Sequence, residues 1–239
     1  MNTDSTRREI FIDPAQLASR GADWIAGLIG AKDGTFRIAL TGGSTPREMY
    51  RELGARYRDS LNWSRVEFFW GDERFVPPDS PDSNYRMARE TLLSQIPVPE
   101  ANLHPIPTTG NPDQAAQTYE ATLQRIYGSP TLDPARPLFD LVLLGLGDDG
   151  HICSLLPGSP ALNERHRWAV AVPKGRPEVR ITLTYPPIES SRITAFVVTG
   201  KAKAQAVRAV RACDESLPGG RLRPNGETVW LLDRAAGGI

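Results

Sequence analysis

A chain of 239 residues is long enough to bury a substantial core, and its 28 basic and 28 acidic side chains, without a long run of either sign, argue against a surface built for nucleic acid. The two cysteines, Cys153 and Cys213, lack metal-ligand spacing and do not suggest a disulfide framework. The opening Met-Asn-Thr-Asp-Ser-Thr-Arg-Arg has no apolar signal-peptide core, and no apolar run approaches membrane-spanning length, so a soluble cytoplasmic protein without a membrane partner is expected.

Strand-like and helix-like patterns alternate along the chain. Glu9 to Ile12 predicts a short strand, and Pro14 to Ile29 a helix with Leu17, Trp24, Ile25 and Leu28 at helical spacing. Phe36 to Leu40 predicts a strand running into Thr41-Gly-Gly-Ser-Thr-Pro46, after which Met49, Tyr50 and Leu53 line one helix face. Val66 to Trp70 is another strand and Ser83 to Gln95 another helix. Ile96 to Pro112 carries five prolines and is expected to be a connector. Asp113 to Tyr127 is helical, with Ala116, Tyr119, Leu123 and Ile126 on one face. Leu141 to Leu144 reads as a buried parallel strand. Strands follow near Trp168 to Val172, Arg180 to Thr184 and Arg192 to Thr199, then a helix from Lys201 to Arg211 and a last strand from Thr228 to Leu232. Repeated βα units imply an α/β fold with a Rossmann-like, open, mostly parallel sheet and helices on both faces, residues 1–239 forming a single domain.

Three histidines are present, and His151 alone stands where an apolar strand becomes a glycine-rich turn. In an open α/β sheet that carboxyl end is where ligands bind, and an imidazole there can pass protons in either direction. The turn, Gly145-Leu-Gly147-Asp148-Asp149-Gly150, formally matches a dinucleotide fingerprint, but two aspartates oppose a pyrophosphate. Lys174 and Arg176 leave an NADP reading as a minority alternative. Gly42, Gly43, Ser44 and Thr45 follow a strand and open a helix, the setting of a phosphate site at a helix N-terminus, although a capped helix start without ligand has the same pattern. Trp70-Gly-Asp72-Glu-Arg74 also ends a strand. Its charges fit either a surface ion pair or a site in which Asp72 orients a base and Arg74 clamps an anion. Arg180 and Lys201 punctuate a strand end and a helix start, and singly read as solvated cations. No second histidine stands at metal-ligand spacing, and no Gly-x-Ser-x-Gly elbow is present.

Taken together, these segments resemble the 6-phosphogluconolactonases. The likeness covers nearly the whole chain. It rests on Thr41 to Pro46, Trp70-Gly-Asp-Glu-Arg-Phe-Val-Pro77, Ser83-Asn-Tyr85, Gly145 to His151 with Ser154-Leu-Leu-Pro-Gly158, Arg180-Ile-Thr-Leu-Thr184, and Val198-Thr-Gly-Lys201-Ala202. The first loop and the Asp-Gly-His turn also occur in glucosamine-6-phosphate deaminases. Trp70 to Arg74, the Leu-Pro-Gly and the Arg180 strand are the lactonase-like parts. Leu156 and Cys153 stand where Phe and Ala are usual.

The resemblance implies hydrolysis of 6-phospho-D-glucono-1,5-lactone to 6-phosphogluconate in the oxidative pentose phosphate pathway, with a small-molecule sugar-phosphate lactone as partner and no metal or organic cofactor. His151 would be the base, held by Asp72 or else Asp148. Arg74 and the amides of the turn through Gly147, Asp148 and Gly150 would meet the oxyanion. Gly42, Gly43, Ser44, Thr45, Arg180 and Lys201 would hold the phosphate. The rival readings are a glucosamine-6-phosphate deaminase or isomerase and a non-catalytic sugar-phosphate sensor.

Overall fold

The computed structural model describes residues 6–239, so the start of the polar N-terminal run lies outside the described residues. Seven strands form one parallel sheet. In chain order they are β1 (Thr6–Phe11), β2 (Phe36–Leu40), β3 (Val66–Trp70), β5 (Leu103–His104), β6 (Phe139–Leu144), β9 (Ser191–Val198) and β10 (Glu227–Asp233). Their spatial order is β1-β10-β9-β6-β2-β3-β5. A second sheet is antiparallel, with order β4-β8-β7, from β4 (Asp72–Arg74), β7 (Ala169–Val172) and β8 (Arg180–Leu183).

The expected elements are present. Helix α1 (Pro14–Ala31) starts where Asp13 accepts a hydrogen bond from the Gln16 amide at 2.8 Å and Pro14 supplies a preset φ. Helix α2 (Ser44–Tyr57) packs against α1. Between them, α3 (Asn84–Ala88) to α7 (Arg234–Gly237) comprise also α4 (Pro112–Tyr127), α5 (Tyr185–Glu189) and α6 (Ala204–Arg211). The predicted helix Ser83 to Gln95 is α3 followed by a wider turn through Arg89–Leu93, where the Ser94 amide bonds the Arg89 carbonyl at 3.0 Å. No helix among the described residues is long and apolar enough to cross a membrane.

Three expectations change. Ile96 to Pro112 is not only a connector: Leu103–His104 adds β5 as an edge strand beside β3. The strands at Ala169 and Arg180 leave the parallel sheet and pair antiparallel with each other. Their third partner, β4, has the sequence Asp-Glu-Arg and shows no apolar alternation, so pairing with β8 rather than strand propensity makes it a strand.

The sheet order reverses between β2 and β6. From β2 the chain moves outward to β3 and β5, whereas from β6 it moves the other way to β9 and β10. Right-handed crossovers then put the connecting helices on opposite faces and open a crevice beyond the carboxyl ends of β2 and β6. The Thr41–Pro46 loop and the Gly145–His151 turn are the chain leaving those two strands.

Ending strands inside the molecule leaves backbone groups to satisfy. Two buried tyrosines do this. The Tyr50 hydroxyl accepts from the Thr41 amide and donates to the Thr41 carbonyl, both at 3.0 Å. The Tyr119 hydroxyl accepts from the Trp70 amide at 3.0 Å and donates to the Trp70 carbonyl at 2.8 Å. Each phenol pairs backbone groups at a strand end, and burial raises both above the usual tyrosine range. Tyr50→Phe and Tyr119→Phe each leave a buried amide and carbonyl unpaired, so each should cost about 1–3 kcal/mol in urea denaturation. Losses of only a few tenths for both, about the scale of an ordinary surface change, would contradict this account of the strand ends.

Candidate active site

The crevice holds a cavity of about 300 Å³. It is lined by the β2–α2 loop, the β6 turn, the end of β9, and Asp72, Arg74, Asn84 and Arg180 from the region of the small sheet. Of the predicted residues, Gly42, Gly43, Ser44, Thr45, Asp72, Arg74, Gly147, His151 and Arg180 meet here. Asp148, Gly150 and Lys201 do not line it.

One wall is the uncapped start of α2. Gly43, at φ 111°, turns the chain into α2 in a conformation that favours glycine, and no side chain caps the helix. The first amides of α2, at Ser44 and Thr45, therefore have no intrahelical acceptor and face the cavity with the positive end of the helix dipole. The Thr45 hydroxyl is fixed by that of Thr199 at 2.7 Å, which ties this loop to the end of β9. Lys201 begins the turn after β9 but borders a different surface depression, with Arg208 and Ala235. Lys203, two residues on, lines the cavity instead. The motif Gly200-Lys-Ala-Lys203 offers two lysines, and only the short helical turn Lys201–Lys203 decides which faces inward.

The opposite wall carries two arginines. Arg74 and Arg180 are direct cross-strand partners in the β4–β8 pair. Like charges in that position repel, and both Nε groups are buried without a hydrogen-bond partner. Burial first, and then the charge of Arg74, lowers Arg180 from the usual arginine range despite Glu178 at 3.3 Å. With Lys203, three cations and one carboxylate, Asp72, line the cavity. An anion beside the guanidiniums would relieve the repulsion.

Asp72 does not hold the histidine. It accepts from the Ser154 hydroxyl at 2.6 Å and from Asn84 Nδ2 at 3.4 Å, so it joins the chain beyond His151 to the start of α3. Its neighbour Glu73, which the sequence did not single out, is almost fully buried. Burial pushes this carboxyl up, against bonds from the Tyr85, Asn84 and Arg74 amides and the Ser83 hydroxyl. The carboxylate fastens α3 to β4 and thereby sets Asp72 and Arg74 on the wall.

The partner of His151 is Asp149. Its Oδ1 lies 2.5 Å from Nδ1 and also accepts the His151 amide at 3.1 Å. Burial acts to raise the Asp149 carboxyl, but the two His151 hydrogen bonds and the charges of His151 and Arg176 outweigh it, and the group is lowered. An ionised Asp149 only accepts, so in the neutral ring Nδ1 carries the proton and Nε2 keeps its lone pair. Gly147 permits this fold of the turn, since a Cβ there would lie 2.0 Å from Nδ1.

Three amides of the turn are engaged within it. The Gly147 amide bonds the His151 carbonyl at 2.9 Å, and the Gly150 amide bonds the Gly147 carbonyl at 3.1 Å. The Asp149 amide bonds Asp148 at 3.2 Å. With these donors engaged, Gly147 shapes the cavity, while Asp148 and Gly150 hold the turn from outside it. Residues 145–159 contain no helix, so the Gly-x-Gly-x-x-Gly run also lacks the helix N-terminus on which a dinucleotide pyrophosphate would rest.

Known proteins resemble this chain in sequence and fold. A family model described as glucosamine-6-phosphate isomerases/6-phosphogluconolactonase matches residues 12–230. The chain is 44% identical over 213 residues to a 6-phosphogluconolactonase of Synechocystis sp., covering 87% of this chain and 85% of that protein. It is 41% identical to one of Nostoc sp., covering 96% of each. Among solved structures, a 6-phosphogluconolactonase from Trypanosoma cruzi matches with a TM-score of 0.85 at 30% identity, over 98% of this chain and 96% of that one. A monomeric glucosamine-6-phosphate deaminase matches with a TM-score of 0.79 over 97% of this chain and 99% of that one, but at 22% identity it shares the fold alone. The chain belongs to the glucosamine-6-phosphate isomerase/6-phosphogluconolactonase family.

Proposed function

We propose that this protein hydrolyses 6-phospho-D-glucono-1,5-lactone to 6-phospho-D-gluconate, the lactone step of the oxidative pentose phosphate pathway. The observation that carries the reading is a cavity lined by three cations and by the His151 of an Asp149–His151 pair. A lactone carbonyl is already electrophilic, so an activated water suffices. In this reading His151 Nε2 takes a proton from water as its oxygen bonds to the carbonyl carbon. The resulting tetrahedral oxyanion collapses, the bond to the ring oxygen breaks, and the imidazolium returns the proton to that oxygen. Asp149 holds the ring and stabilises the imidazolium. The α2 amides, Ser44, Thr45, Lys203 and Arg180 hold the phosphate, with Arg74 shared between phosphate and oxyanion. That remote binding orients the carbonyl toward the water.

The two sheets serve one cavity, which supports treating residues 1–239 as one lactonase-like domain. Free Cys153 and Cys213 suit a reducing, cytoplasmic setting. The decisive experiment follows lactone hydrolysis above its spontaneous rate, alongside ammonia release from glucosamine 6-phosphate. Ammonia release without lactone hydrolysis would overturn the reading in favour of a deaminase.

His151→Ala should lower kcat by roughly 10²- to 10⁴-fold with KM little changed. Asp149→Asn should lower kcat by about 10-fold or more, because the amide can present a donor to Nδ1 and favour the wrong tautomer. Steady-state kinetics of the folded variants decide, and near-normal turnover of His151→Ala would remove this residue from the mechanism.

The phosphate contacts have their own test. Arg180→Ala and Lys203→Ala should each lose about 1.5–3 kcal/mol in kcat/KM on the phosphorylated lactone and much less on gluconolactone. Lys201→Ala should remain close to wild type. Equal losses on both substrates would place the phosphate elsewhere.

A further inference from the structure

The β7–β8 hairpin closes at the Val172–Arg180 pair, and its connecting segment, residues 173–179, reaches the histidine turn. Two contacts set its path. Gly175, at φ 98°, passes so close to Leu156 that a Cβ would lie 2.9 Å from Leu156 Cδ1. The Phe75 amide bonds the Val179 carbonyl at 2.8 Å, which moors the far end of the loop beside β4. Between these points Arg176 Nη2 lies 3.3 Å from Asp149 Oδ2 and 3.2 Å from His151 Nδ1.

Those two distances cannot both be hydrogen bonds alongside the Asp149–His151 contact. Guanidinium only donates, and the Nδ1 that donates to Asp149 has no lone pair left in the ring plane. Arg176 therefore bonds Asp149. The carboxylate is shared, with Oδ1 on the imidazole and Oδ2 on the guanidinium. We infer that Arg176 is a positioning residue for His151, acting through Asp149. The inference rests on the reading of His151 as the base.

The physical need is plain. Asp149 lies in a turn outside regular secondary structure, and its side chain is 40% exposed. The Arg176 bond opposes rotation of the carboxylate toward water, so Oδ1 stays on Nδ1 and the ring keeps Nε2 toward the cavity. Arg176 does not line that cavity and is not placed to bind the phosphate. Without the three-way contact, Arg176 could be read from the sequence only as a loop cation or a partner for a 2′-phosphate.

The test is a double-mutant cycle on the full chain. Arg176→Gln should lower kcat by roughly 2- to 10-fold and leave KM within about twofold, the scale of a partly exposed charge pair. Arg176→Lys should recover most of the rate. In an Asp149→Asn background, Arg176→Gln should have no further effect. Imidazole nitrogen chemical shifts should report a single Nδ1-protonated tautomer in the neutral wild-type ring and a tautomer mixture in Arg176→Gln. The inference is overturned if the loss falls on KM alone, if it persists in the Asp149→Asn background, or if Arg176→Gln matches wild type in both rate and nitrogen shifts. A wild-type chain without lactonase activity would sink the functional reading, and the nitrogen shifts would still decide whether Arg176 positions the ring.

Discussion

The site depends on how two parallel strands are allowed to stop. At the point where the sheet order reverses, β2 and β6 end side by side, and their exits must diverge without leaving buried polar groups unpaired. Tyr50 pairs both backbone groups of Thr41, and the Thr41 hydroxyl accepts the Gly145 amide at 3.3 Å, which links the two exits. Tyr119 does the same for Trp70 at the end of β3, where the two-residue β5 is too short to reach. Each anchor is a side chain from the helix packed against the sheet. The positions of the anion loop, the histidine turn and the Asp72–Arg74 strand are thus properties of the core.

Beyond those anchors the two halves of the site are made differently. The anion half uses features any such fold supplies, namely a strand exit, a glycine and the start of a helix. The chemical half has no helix to stand on. The Asp149–His151 pair is held by hydrogen bonds within the turn, by Gly219 donating to the Gly150 carbonyl at 2.8 Å, and by Arg176 from the small sheet. The Asp149–His151 pair therefore lies where the loop of the small antiparallel sheet meets the common scaffold.

The scaffold was legible in the sequence because its signals are local. Pro14 and the apolar runs at Phe36, Val66 and Leu141 specify a helix start and buried strands within a few residues. The Gly-Ser-Thr loop and His151 were legible for the same reason, since each follows such a run. Asp72 as the partner of His151 was not a sound reading. Position at a strand end says that a carboxylate reaches the crevice, not which imidazole edge it meets, and the nearer Asp149 wins through a two-residue turn. Lys201 failed similarly, because one helical turn separates it from Lys203. Strand β4 was illegible altogether. Its charges oppose strand propensity, and only β8, more than a hundred residues on, makes it a strand.

That late pairing explains why the two arginines tolerate each other. Arg74 and Arg180 come from distant segments and are set opposite by the same register that closes the small sheet. The neighbouring carboxylates only partly compensate. Glu73 is turned into the start of α3, Asp72 is bonded to Ser154 and Asn84, and Glu178 touches Arg180 at 3.3 Å. The fold thus accepts an electrostatic cost at one wall of the cavity and offsets it with the surrounding core. A phosphate bound there would regain part of that cost, an advantage for phosphorylated substrates that contact area alone would not supply. The Asp149–His151 pair has its own cation, Arg176, at 3.3 Å from Asp149 Oδ2.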